Sequence, residues 1–372
     1  MEVTIHESFS EFSEAEWNSL PAQDFVFSDH RFFCALERGR CLGRRTGWFP
    51  RIYACRDDGR LVGALPVFDK TNSYGEYIFD WAWANAADQI GFEYYPKRVV
   101  AVPFTPATGP KILTGHLRAR ELLLDACLRD SKEVSSLHFL FETAETIERL
   151  RERSFLIRHS YQYHWRNRGW REFSDFLVAL RSKRRSEIKR ERALVASSGV
   201  KIERLTGDQL TPEHAEIMYA FYLSTIRKMG GHPYLTPDFF TDVFARMNDS
   251  ILFVLASFDG SPIAGAVNFY RGKCLYGRYW GCVDDYKNLH FEVCYYQAIE
   301  WCLESGVELF EAGAQGEHKF NRGFTPCLTL SAHEIHEPRL REAVSNFLEQ
   351  EKVSIDELFK DYKEHDPFQR FP

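Results

Sequence analysis

Tyr53-Ala-Cys-Arg-Asp-Asp58-Gly59-Arg-Leu-Val-Gly63-Ala64-Leu-Pro-Val-Phe68 reads as two apolar strands joined by an Asp-Gly turn. Phe253-Val-Leu-Ala-Ser-Phe-Asp259-Gly260-Ser-Pro-Ile-Ala-Gly265-Ala266-Val-Asn268-Phe-Tyr270 repeats the pattern, with Asp58 to Asp259 spanning 201 residues and Gly63 to Gly265 spanning 202. A third strand is expected after each hairpin, Tyr74-Gly75-Glu76-Tyr77 and Tyr276-Gly277-Arg278-Tyr279, again 202 residues apart. Phe92-Glu93-Tyr94-Tyr95 then answers to Phe291-Glu292 and Tyr295-Tyr296 after a small slip. Ordered matches of this kind point to an internal duplication rather than to chance hairpins.

The duplication predicts two related α/β domains, residues 1–165 and 166–372, with the boundary in Ser160–Trp170 just before a basic segment. In the second half, Pro212–Met229, Pro237–Met247 and Glu292–Ser305 have helical character, and Val307–Ala312 reads as a strand. An antiparallel meander entering a strand-helix-strand unit gives a mixed α/β (α+β) plan.

Composition narrows the class. At 372 residues, 44% hydrophobic and 27% charged, the chain buries real cores and is not a disordered or fibrous polymer. Forty-seven Lys+Arg against 53 Asp+Glu give a net charge of −6, so a nucleic-acid partner requires a local basic patch. Nine cysteines, an odd number without a CxxC pair, argue against a disulfide framework or zinc ribbon. The acidic, alternating start Met1-Glu-Val-Thr-Ile-His-Glu7 is unlike a signal peptide, and no apolar run reaches a membrane span. A reduced, cytoplasmic, soluble protein is expected.

The densest polar cluster is Glu311-Ala-Gly313-Ala-Gln315-Gly316-Glu317-His318-Lys319-Phe-Asn321-Arg322-Gly323-Phe324, directly after the expected strand. Loops at strand ends are where sites are built, and glycines let backbone N–H groups approach a ligand. This cluster offers a base, a proton shuttle and an anion clamp; a charged surface loop is the competing reading. The phosphate loop GxxxxGK[ST], the dinucleotide GxGxxG and the hydrolase GxSxG are all missing, so nucleotide hydrolysis, hydride transfer and serine hydrolysis are unsupported. His290, His318, His333 and His336 fit no metal-ligand spacing, and no metal is expected.

Two other features carry chemistry. Arg181, Arg185, Lys189 and Arg192 fall at i, i+4, i+8 and i+11 of a helix that also holds Arg184, a basic ridge suited to phosphates of RNA or of a cofactor, or simply a solvated face. Lys228-Met-Gly230-Gly231-His232-Pro233-Tyr234-Leu-Thr236 breaks a helix and restarts one, so His232 and Tyr234 sit on a possible hinge over substrate. In the first half, the loops around Trp81-Ala-Trp83 and Val102-Pro-Phe-Thr105-Pro are rich in aromatics and proline and are candidates for lining a pocket.

Several longer strings resemble a known family: Thr46-Gly47-Trp48-Phe-Pro50, Ser73-Tyr-Gly-Glu-Tyr-Ile-Phe-Asp80-Trp-Ala-Trp-Ala-Asn85, Tyr95-Pro-Lys97, Tyr276-Gly-Arg-Tyr-Trp-Gly281, Leu289-His-Phe-Glu292 and Glu311–Lys319. With Val102-Pro-Phe-Thr-Pro106 and Thr108-Gly-Pro110, they are similar to the predicted N-acyltransferases of peptidoglycan biosynthesis or recognition, related to Fem-type aminoacyltransferases and the GNAT superfamily. The resemblance implies tandem GNAT-like domains, each a mostly antiparallel sheet flanked by helices. It implies aminoacyl-tRNA as donor and a peptidoglycan-precursor amine as acceptor, with no tightly bound cofactor. The GNAT signature for acetyl-CoA, Q/RxxGxG/A, and the long helical arm that several Fem-type enzymes insert for tRNA are both missing, so the donor, aminoacyl-tRNA or acyl-CoA, stays open. A non-catalytic module that recognises a peptide or glycan also stays open.

Direct attack of a primary amine on an acyl group needs a base and oxyanion donors. Glu311, Glu317 and His318 are the candidate bases; Arg278, Lys319 and Arg322 are candidates for anion binding; Tyr279 and Tyr296 are candidate donors to the leaving group. Gln315, Glu292, His232, Tyr234 and Trp81 complete the expected substrate contacts, and Arg181, Arg184, Arg185, Lys189 and Arg192 the phosphate or tRNA contacts. The first lobe, without the acid-His-Lys cluster, is expected to bind or scaffold.

Overall fold

The computed structural model describes residues 1–22, 24–313 and 316–369. The first half contributes strands β1 (Glu2–His6), β2 (Trp48–Asp57), β3 (Arg60–Lys70), β4 (Lys97–Val100), β5 (Ser136–Phe139) and β6 (Leu156–Arg166). The second half contributes β7 (Lys201–Leu205), β8 (Ile251–Phe258), β9 (Ser261–Arg271), β10 (Cys274–Cys282), β11 (Leu309–Glu311) and β12 (Thr325–Ile335).

The chain forms two compact units, Met1–Tyr161 with Leu328–Leu358, and Gln162–Cys327 with the residues from Phe359 onward. In the first unit the order is β1-β2-β3-β4-β5-β12; in the second it is β7-β8-β9-β10-β11-β6. Both follow one plan, antiparallel throughout except for a single parallel pair, β4 with β5 and β10 with β11. The last strand of each unit comes from an unexpected part of the chain: β12 pairs Ala332–Ile335 with β5, and residues 164–166 of β6 pair with β11. A division at 165/166 does not capture this return, because Leu328–Leu358 packs with the first unit.

The two hairpins match in detail. Asp58 and Gly59 have φ of 47° and 81°, and Asp259 and Gly260 have φ of 48° and 75°, the paired positive values a two-residue hairpin turn requires. Each hairpin carries a register shift just before its turn, at Cys55/Arg56 and at Ala256/Ser257. The third expected match fails. Residues 74–77 are not a strand, since Gly75, Tyr77 and Phe79 have φ of 80°, 63° and 53°, and left-handed residues cannot continue a pleat. The structural counterpart of β10 is β4, and residues 71–96 with the helix Trp81–Gln89 are an insertion. Phe92–Tyr95 is likewise irregular, whereas Glu292–Tyr296 is a π-helical turn leading into the helix Gln297–Ser305.

The first core packs Tyr53, Leu65 and Val67 of the hairpin against Leu123, Leu124 and Cys127 of the helix Leu117–Asp130. Each fully buried apolar side chain there contributes about 1.5–3 kcal/mol. In the second unit the helix Pro212–Lys228 lies so close to β10 that a Cβ on Gly281 would sit 1.8 Å from the Phe221 carbonyl oxygen. Only glycine fits there. Thr225 Oγ1, one turn on, donates to the Trp280 carbonyl at 2.6 Å.

The inserted segment of the first unit is tied down by buried charge. Lys97 Nζ donates to Glu76 at 2.7 Å, to Ser73 at 3.0 Å and also to Asp80, whose carboxylate takes the Tyr94 hydroxyl at 2.7 Å. Lys70 donates to the Tyr74 carbonyl at 3.1 Å and lies 4.2 Å over the Trp48 ring. The strings around Ser73–Asp80 and Tyr95–Lys97 therefore build a buried ionic network that shapes a loop.

Candidate active site

β10 and β11 run parallel only from Cys274–Tyr276 against Leu309–Glu311. β11 then ends, while β10 continues to Cys282 with a register shift between Gly277 and Tyr279. Past that irregularity the strands part, and a cavity of about 320 Å³ opens at their carboxyl ends, the place where open α/β sheets hold ligands. The π-helical turn Glu292–Tyr296 places both Cys294 and Tyr295 on the cavity wall, a distortion that recurs at functional sites.

The wall gathers Arg278, Tyr279, His318 and Lys319 from the expected set, together with His290 and Tyr295. His318 Nε2 lies 2.9 Å from the Tyr295 hydroxyl. Burial, then the charges of Lys319 and Arg322, hold its imidazole below the ordinary value, so at neutral pH the ring is a proton acceptor. Lys319 is buried, donates to the Gly313 carbonyl at 3.0 Å, and is pushed down to about 8 chiefly by burial, with Arg278 adding to the effect. Burial takes His290 down to about 4 and raises the Cys294 thiol well above its usual range, leaving both neutral. A thiol so raised is not a thiolate nucleophile.

Other expected residues are placed elsewhere. Glu311 is buried on the opposite face of β11 from cavity-lining Phe310, opposite Tyr276 and His164, because alternate strand residues point to opposite faces. Glu317 is exposed on the short helix Glu317–Arg322 and does not line the cavity. Arg322 is bound to Glu191 at 2.5 Å, donates to the His318 carbonyl at 2.8 Å and stacks 3.3 Å over Phe291. Tyr296 donates to the same Glu191 carboxylate, so these two residues brace the loop from behind. Gln315 lies outside the described residues. His232 is exposed, and Tyr234 donates its N–H to Tyr222 Oη at 3.0 Å; neither lines the cavity. Trp81 belongs to the first unit, its ring 4.8 Å from Tyr74. His333 is also in the first unit, Nδ1 to Nδ1 with His138 at 2.7 Å, apart from His290 and His318.

The basic segment is the helix Ser182–Ala196. Arg192 turns inward, bound to Glu292 at 3.0 Å and Glu300 at 2.8 Å and stacked on Phe173, which removes both Arg192 and Glu292 from ligand contact. Arg184 pairs with Glu187 at 3.1 Å, Arg185 reaches the Val178 carbonyl, and Arg181 reaches that of Phe368. Lys183, Lys189 and Arg190 face solvent.

Each unit is thus a mixed sheet with one parallel pair, and in the second unit the two strands of that pair part to open the cavity. The chain belongs to the FemAB-like family, described as peptidoglycan biosynthesis/recognition, whose sequence profile matches residues 8–370. No curated protein matches the sequence. Among solved structures, FemX aligns with a TM-score of 0.55 at 12% identity, over 93% of this chain and 100% of that one. The C-terminal domain of a putative lysylphosphatidylglycerol synthetase from Agrobacterium fabrum aligns at 0.57 and 9% identity, over 91% and 96%. L-PGS from Bacillus licheniformis aligns at 0.52 and 10% identity, over 86% and 96%. At these identities the likeness is one of fold. Among the described residues no helix is long and apolar enough to cross a membrane.

Proposed function

We propose that this protein transfers an acyl or aminoacyl group to a primary amine in the gap between β10 and β11. The observation that carries the reading is the grouping of Lys319, the His318–Tyr295 pair and Arg278 on one cavity wall at the strand ends. The amine nitrogen attacks the carbonyl carbon of the donor ester or thioester directly, and a tetrahedral oxyanion forms. His318, held by Tyr295, takes the proton the nitrogen loses. The Lys319 ammonium stabilises the oxyanion until it collapses, expelling the alcohol or thiol, which takes the proton back from the His318 imidazolium as it leaves. With Cys294 neutral, no thiolate is at hand in the wall for an acyl-enzyme.

Aminoacyl-tRNA is the favoured donor. The solvent-facing Lys183, Lys189 and Arg190 of the helix Ser182–Ala196 suit a polyanion, and family membership supports a peptidoglycan-type amine acceptor. The test is competition binding of labelled aminoacyl-tRNA against uncharged tRNA and acyl-CoA at moderate salt. Saturable preference for charged tRNA supports this donor. Retention of acyl-CoA alone makes the protein a CoA-dependent N-acyltransferase, and binding of neither favours a recognition module.

A further inference from the structure

Beside the charged groups of the cavity wall stands a neutral one. Asn268, on β9, lines the cavity and is 1% exposed. Directly across the sheet from it are Leu252 of β8 and Gly277 of β10. Nδ2 donates to the Leu252 carbonyl at 3.2 Å, and this bond fixes which way the amide lies, because a carbonyl takes only a donor. Oδ1 is therefore the atom left toward Gly277, and among the described residues it accepts no hydrogen bond. A Cβ on Gly277 would stand 3.3 Å from Oδ1 and 3.1 Å from the ring of Phe310, which lines the same cavity. The missing side chain keeps the oxygen open to the space where β10 and β11 part. A buried carbonyl oxygen without a donor is costly to keep, and this one faces the site.

Its chemistry differs from that of its neighbours. A hydroxyl or an imidazole nitrogen can carry a proton, whereas a carboxamide oxygen only accepts, so it orients an N–H without removing it. With Arg278 and Lys319 on the wall and, among the described residues, no carboxylate, the cavity disfavours an ammonium ion and takes the nitrogen as a free amine. We propose that Asn268 is a specificity-determining residue of the transfer: its Oδ1 accepts one N–H of the attacking nitrogen and turns the lone pair toward the donor carbonyl, while the other N–H yields its proton to His318. A primary amine serves both acceptors. A secondary amine has a single N–H and leaves one of them empty, so the site discriminates against N-alkylated acceptors. This role rests on the transfer reading above; the buried oxygen and its orientation do not.

Two measurements on the full chain test it. In protein labelled with nitrogen-15 asparagine, the Asn268 side-chain amide resonance is the one missing from Asn268→Leu. n-Pentylamine should shift that resonance, and butyl methyl ether, of matching length without an N–H, should leave it in place. With aminoacyl-tRNA or acetyl-CoA as donor, the wild type should use n-pentylamine about 10-fold to 100-fold better in kcat/KM than N-methylpentylamine, the effect of one unpaired buried acceptor. Asn268→Leu removes the oxygen while nearly conserving volume and should bring the two amines to within about threefold of each other. Gly277→Ala covers the oxygen without touching its neighbour's bond to Leu252 and should erode the preference as well. A merely structural role lowers both rates together and leaves their ratio alone. Equal shifts with amine and ether, no shift with either, or a ratio unchanged in both variants overturn the proposal. A shift specific to the amine without turnover of any amine keeps the Asn268 contact and defeats the transfer reading; turnover with an unchanged ratio does the reverse.

Discussion

The Tyr295 hydroxyl and His318 Nε2 stand 2.9 Å apart, one on a π-helical turn and the other on the loop that follows β11. The contact fixes the ring of the neutral imidazole on the wall that Lys319 shares. His318→Ala should lower turnover of the amine acceptor by about 10²–10⁴-fold, the usual contribution of a general base. Tyr295→Phe, which removes only the orienting contact, should lose less and shift the acidic limb of the pH–rate profile. A profile unchanged in both variants would remove His318 from the chemistry.

The pH dependence of turnover follows from two groups. His318 must be unprotonated and titrates below its ordinary value, so activity should rise through a limb lying under about 6.5. Lys319 must be protonated and is pushed down to about 8, so activity should fall above that. Steady-state rates between pH 5 and 9.5 should trace a bell, and a rate still climbing at pH 9 would contradict the ammonium role.

Lys319 also bears on stability. With its value lowered from 10.5 in the unfolded chain to about 8 in the fold, the unfolded state binds more protons between those limits. Stability therefore falls as pH drops from 10.5 to 8 and stays reduced below. Lys319→Met should abolish turnover yet stabilise the protein at pH 7 by about 1–3 kcal/mol. Urea unfolding at pH 7 and pH 10 measures it, and the gain should shrink at the higher pH.

Glu191 lies buried between Arg322 and Tyr296, behind the loop. Glu191→Ala strands a buried guanidinium and should cost about 3–5 kcal/mol, read as a lower urea midpoint. Replacing exposed Lys189 and Arg190 by Glu should leave that midpoint nearly unchanged while weakening tRNA binding and flattening its salt dependence. Equal losses of stability in the two variants would refute the division of this helix into an inner and an outer face.

Gly281→Ala places a methyl group against the Phe221 carbonyl oxygen, 1.8 Å from its ideal position. Overpacking of this sort costs about 1–3 kcal/mol or more, and the helix Pro212–Lys228 must move to relieve it. Poor yield of folded protein is the expected result, against a much smaller loss for Gly260→Asn, where nothing crowds a side chain and only the positive φ of 75° is strained.

The hairpins were legible because Asp-Gly turns and alternating apolar residues are local signals, and both recur at matching positions. The cluster after β11 was legible as chemistry but not as geometry. Which of Glu311, Glu317, His318 and Lys319 face the cavity depends on where β11 stops and on the turn at Gly316, neither visible in the residue types alone. Arg192 and Arg322 resembled ligand contacts until Glu292, Glu300 and Glu191 came to meet them from distant sequence. Tyr74–Tyr77 matches Tyr276–Tyr279 at three of four positions, yet the positive φ of Tyr77 makes it a turn. Tyr295 and Cys294 belong to no motif in the sequence; they reach the wall on the π-helical turn, which residue types alone do not announce.

The return of β12 to the first unit has a consequence for synthesis. A nascent chain that has emerged through residue 165 holds β1 to β5 but not the strand that covers β5, whose Ser136–Phe139 are wholly buried in the finished protein. N-terminal domains usually fold first during translation, but here the earlier half waits with an open edge until residue 335 has been made. A cut at residue 165 leaves that edge uncovered, so the two sheets that share one plan are completed only within a single chain.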